Sequence, residues 1–198
     1  MKIRNKITII IITITFAFVF LSNSIFSYFF SNYLENQENA QINSISRSVE
    51  SFFIEKIIRY QGNVIDYSHW DDSYDFINNI NRQKYIDSNL VEDTFSNLEV
   101  NFIFYVGEDN SIIYKQYYDN TNKKFTQFPA KLAESIEKFI RASKSEDISK
   151  ILKLGDQFYF VATSDITDSS KVKKSKGRML IGSLIDEKMV IKLKEMNR

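Results

Sequence analysis

The chain has 198 residues, one domain's length with room for an appendage, and 43% of them are hydrophobic, enough to bury a core. Its net charge of +1 argues against a nucleic-acid surface, and the lack of cysteine excludes disulfides, thiolate catalysis and cysteine zinc sites. One Pro and 5 Gly against 17 Phe and 11 Tyr favour long helices and well-formed strands over loops.

Residues 1–6 are short and basic, with Lys2, Arg4 and Lys6 ahead of any acid. Residues 7–30 are then almost wholly apolar and uncharged, long enough as a helix to cross the hydrocarbon core of a bilayer. The basic flank predicts a cytoplasmic N-terminus and an exterior remainder. A cleaved signal peptide is the rival reading, with Ser22-Asn23-Ser24 as a cleavage point. Residues 25–30 are again apolar, which favours an uncleaved anchor.

Residues 32–67 read as one long helix, with apolar side chains at three- and four-residue steps and no Pro. A small domain cannot cover all of it. Its lower half therefore predicts a parallel homodimer through a near-heptad seam of Ile42, Ile45, Val49 and Phe52. The stretch DYSHWDDSYDF over residues 66–76 follows and carries the only Trp and the only His of the chain. Its Ser68-His69-Trp70-Asp71 has the form of a capping box, stopping one helix and starting the next. Trp70 is expected to be buried and to pack the start of the short helix against a sheet.

Residues 81–95 predict further helix. Residues 100–106 and 111–118 form a hairpin about a Gly-Glu-Asp-Asn turn, and Pro129 precedes a helix over 130–142. Residues 148–154 and 157–163 flank Gly155-Asp156 as a second hairpin. Residues 164–177 read as a polar, Lys-rich loop, 178–184 as a fifth strand, and 186–196 as a helix capped by Asp186. The class is α+β on a five-stranded antiparallel sheet, behind an N-terminal transmembrane helix that runs into the long helix.

The 66–76 stretch, with its Trp-Asp-Asp core and the Tyr and Phe after it, resembles the signature of the fourth subtype of CHASE-type extracellular sensor domains. Tyr85-Ile86, Asn89-Leu90, the 101–114 region, Gly182 and Leu184-Ile185-Asp186 extend the resemblance over about residues 33–197. It implies a PAS- or Cache-like domain over residues 31–198, outside the cell membrane in the extracellular or periplasmic space. The domain would feed a cyclase, phosphodiesterase or histidine kinase that this chain does not carry. It further implies that the chain either stops before a second span or stands alone as an anchored sensor.

On this reading an unidentified small molecule sits between the sheet and the helices after Trp70. Trp70, Asp71, Tyr74, Tyr85, Tyr105 and Tyr114 are its candidate contacts. No cofactor, metal or nucleic acid is expected, and no enzymatic activity. His69 is the only histidine, and neither a nucleophile elbow nor a Gly-rich phosphate loop occurs. The alternative function is an anchored ectodomain that binds a protein partner or the cell wall without sensing a small molecule.

Overall fold

A computed structural model describes residues 3–143 and 147–196. Of the predicted cytoplasmic residues 1–6, Met1 and Lys2 lie outside the described residues. The chain divides into two compact units, Met1–Glu50 and Ser51–Arg198.

The first unit is the N-terminal part of α1 (Ile3–Ser68), which continues without a break through the boundary expected near residue 31. Residues 6–47 are exposed throughout, including Ile10, Phe16, Phe20 and Phe26. Its hydroxyls bond within the helix: Thr13, Thr15 and Ser24 each donate to the carbonyl four residues earlier at 2.9 Å. Over residues 7–30, a helix that bonds these hydroxyls internally and is apolar on nearly every side fits lipid surroundings. Among the described residues it is the one helix long and apolar enough to cross a membrane.

The second unit holds the end of α1, then α2 (Asp71–Ile77), α3 (Arg82–Asn89), α4 (Glu92–Leu98), β1 (Phe102–Gly107), β2 (Ile112–Asp119) and β3 (Lys124–Thr126). After these come α5 (Ala130–Ala142), β4 (Ile148–Leu154), β5 (Gln157–Asp165), β6 (Gly177–Leu184) and α6 (Glu187–Met196). The sheet is antiparallel with the order β3-β2-β1-β6-β5-β4. Among the described residues it has six strands where five were expected. The added strand, β3, spans only three residues and pairs Phe125 with Tyr118 on the edge. A segment that short carries no readable alternation.

Both faces of the sheet are covered, so the central strands β1 and β6 are buried almost along their whole length. Alternation sends Ile103 and Tyr105 to one face, and Phe102, Phe104 and Val106 to the other. The first face packs against Tyr60 and Val64 of α1, Phe76 of α2, Tyr85 of α3 and Phe95 of α4. The second packs against α5, whose Leu132, Ile136 and Ile140 recur every four residues. Burying each of these three side chains contributes about 1.5–3 kcal/mol. Gly182 on β6 lies opposite Phe102, and a Cβ there would clash with the tip of the Phe102 ring, at its Cζ.

The Ser68–Asp71 capping box does not form. The N-cap of α2 is Trp70, with no side-chain cap bond. Ser68 Oγ instead bonds to Ile65 O at 3.1 Å and to the Ser164 hydroxyl at 2.9 Å. The long-range partner on β5 draws this hydroxyl away from the local cap. Asp186, in contrast, caps α6 as expected, accepting the Met189 N–H at 2.8 Å.

Candidate functional site

The candidate site gathers where α1 ends and α2 begins. His69 N–H still bonds back to Ile65 O, and the chain then turns through Trp70 in an extended conformation into α2. The Trp70 indole stacks on Tyr67, with centroids 4.4 Å apart and planes 27° from parallel. Trp70 is half-buried rather than buried, because its partner is this helix-end tyrosine and not the sheet. Tyr74 lies one turn further, its N–H bonded to Trp70 O at 3.0 Å.

The β5–β6 loop crosses this junction. Thr167 N–H reaches Ser68 O at 3.2 Å. The Asp71 carboxylate accepts Ser169 N–H at 3.1 Å and Ser169 Oγ–H at 3.0 Å. Within the loop, Asp168 Oδ1 accepts the Val172 and Lys173 N–H groups at 3.0 and 2.9 Å, and its other oxygen takes the Ser170 hydroxyl. The Ser170 bond first, then the Lys173 amide, holds the Asp168 carboxyl below the usual range. Lys173 Nζ rests 4.8 Å from the centroid of the Tyr74 ring. Partial burial, and then the charge of Lys171, lower the His69 pKa, against the pull of Asp147 and Asp165.

Beneath the junction lies a buried hydroxyl chain. Ser73 Oγ donates to Tyr67 O and also contacts Tyr85 Oη, both at 2.6 Å, and Tyr85 Oη meets Tyr105 Oη at 2.8 Å. Phe76 stacks on Tyr85 at 4.8 Å and turns its edge to Tyr105 and Tyr114. Burial raises the phenol pKa of Tyr85 and, more strongly, of Tyr105; it pushes Tyr114 up to about 12. A cavity of about 180 Å³ opens at Tyr85 between α2 and α3, lined by Asp72, Asp75, Lys84 and Ser88 among others.

The six residues picked from sequence thus fall into two groups. Tyr85, Tyr105 and Tyr114 surround Phe76 inside the unit, whereas Trp70, Asp71 and Tyr74 lie against the β5–β6 loop. Tyr67, Ser73, Asp168, Ser169 and Lys173 went unselected. The Asp168-Ser169-Ser170 run was the available signal, since such residues fold loops by bonding their own backbone. Of the seam residues, Ile42 and Ile45 are exposed, Val49 is half-buried, and Phe52 is buried at 8% exposure.

A model of the CHASE4 domain matches residues 54–198. The chain is 25% identical over 124 residues to the methanogenesis regulatory histidine kinase FilI of Methanothrix harundinacea (strain 6Ac). That match covers 61% of this chain and spans 14% of the kinase's length. Among solved structures, the periplasmic domain of Vibrio cholerae LuxQ superposes with a TM-score of 0.47 at 12% identity, over 78% of this chain and 69% of that one.

Proposed function

The chain belongs to the CHASE4 domain family, a signal-input domain, and on that premise we propose that it is the membrane-anchored, ligand-sensing part of a transmembrane receptor. In this reading residues 1–6 are cytoplasmic, residues 7–30 span the membrane, and residues 31–198 stand outside it. The chain would pair as a parallel homodimer through Ile42, Ile45 and Val49, without Phe52 of the expected seam, whose side chain is already buried. The output module, a histidine kinase, cyclase or phosphodiesterase, is carried outside this sequence.

The observation that carries the reading is the junction itself. The helix that descends to the membrane ends in Tyr67 and Ser68, and both contact the elements at which a ligand would act. Tyr67 touches Trp70 and Ser73, and Ser68 is tied to the β5–β6 loop. Any rearrangement of α2 or of that loop therefore bears directly on α1.

Thermal unfolding of the full chain in detergent, screened against small metabolites, tests the sensing role. A saturable rise in melting temperature with one chemical class is the expected result. If no class raises it, the second reading gains: an ectodomain that binds a protein. The exposed Ile54 and Ile58 on α1, at 48% and 65%, would serve that role.

A further inference from the structure

Resting on the sensing role, we propose that the Tyr74 ring, one turn after Trp70, binds an organic ammonium ligand, and that the Lys173 side chain occupies this position in the ligand's absence. A cation over an aromatic face is the contact an alkylammonium ligand makes, and Lys173 Nζ makes it 4.8 Å from the Tyr74 centroid. The lysine is exposed, so the contact is weak and exchangeable.

The loop does not depend on that side chain. Its frame is set by Asp168, which holds the backbone N–H groups of Val172 and Lys173, and by Asp71, which holds Ser169. The ammonium of Lys173 can therefore leave Tyr74 while the backbone stays in place.

The surroundings choose a cation over an anion. The helix that carries Tyr74 reads DDSYDFI, with three carboxylates and no basic residue. Of the lysines in the loop, Lys174 and Lys176 are paired with Glu108 at 3.2 and 3.7 Å. Lys171, the remaining one, acts on His69. Trp70 is the only tryptophan of the chain, and its carbonyl accepts the Tyr74 N–H at 3.0 Å, so its emission reports on this junction.

The test uses the full chain in detergent, titrated with tetramethylammonium chloride while Trp70 emission is followed. Sodium chloride and sodium acetate serve as controls at equal ionic strength. Wild type should show a saturable change with tetramethylammonium only. Lys173→Met keeps the stem and removes the charge, and it should bind about two- to fivefold tighter, the strength of one exposed cation–π contact. Tyr74→Phe should retain binding and Tyr74→Leu should lose it, at melting temperatures that show both variants folded.

The proposal is overturned if acetate, and not tetramethylammonium, moves the emission. It is overturned equally if Lys173→Met binds no tighter than wild type, or if neither protein responds. A metabolite that raises the melting temperature with Trp70 emission unchanged would remove the site and leave the sensing role standing.

Discussion

The buried phenols give this domain a definite response to alkaline pH. Tyr60, Tyr85, Tyr105 and Tyr114 all have pKa values raised by burial, Tyr114 to about 12. Their unfolded values lie near about 10, so below that pH both states keep the proton and stability is level. Above it the unfolded chain ionises first, and stability falls as pH rises toward the folded values. Denaturant midpoints should hold steady to about pH 9 and drop beyond about pH 10, and Tyr114→Phe should make the drop shallower. Trp70 behaves differently from the buried anchor that its sequence suggests. It is half-buried against a single ring, so Trp70→Ala should cost about 1–3 kcal/mol, short of the range for a fully buried tryptophan. A chevron or equilibrium unfolding curve measures this directly. Gly182 is the opposite case, a residue whose missing side chain makes room for Phe102. Gly182→Ala should destabilise by about 1–3 kcal/mol or more, and Phe102→Leu in the same chain should recover part of the loss.

At the scale of elements, Asp168 closes the turn inside the β5–β6 loop, and Asp71 and Ser68 tie that loop to the helix junction. Asp168→Ala removes the acceptor for the Val172 and Lys173 amides, and trypsin should then cut at Lys171 and Lys173 several-fold faster while the sheet stays intact. Unchanged cleavage would mean that the contacts of Asp71 and Thr167 hold the loop unaided. The elements themselves were largely legible. α5 carries an apolar side chain every fourth residue, and Gly155-Asp156 marks the turn between β4 and β5, so local pattern was enough. The α1–α2 junction was not legible in the same way. Ser68 and Asp71 have the right types and spacing for a local cap, yet each bonds to a residue far away in the chain, Ser164 and Ser169. Competition from tertiary partners cannot be read from a four-residue motif. The aromatic residues of the candidate site were found by type, but not which of them would bond one another. The Tyr85–Tyr105 hydroxyl pair depends on how α3 and β1 pack, which no period along the sequence records.

At the scale of the whole molecule, the proposed homodimer makes a positional forecast. Single cysteines placed along residues 38–53 of this cysteine-free chain should cross-link in membranes at Ile42, Ile45 and Val49. A cysteine at Phe52 should react poorly, because that side chain is already buried. Uniform cross-linking across the stretch would count against a seam. The sheet order has a separate consequence, for how the domain comes to exist at all. β1, β2 and β3 follow one another in sequence, and so do β4, β5 and β6; the two halves meet along the β1–β6 ladder, which runs from the Phe102–Gly182 pair to the Gly107–Gly177 pair. Neither half has its central neighbour until the C-terminal strand arrives. Such distant pairing makes closure slow compared with local hairpins. On the proposed topology, a chain threaded outward behind its N-terminal anchor would reach the far side before β6 arrives to close the sheet, and so would stay unclosed for as long as a narrow translocation channel requires.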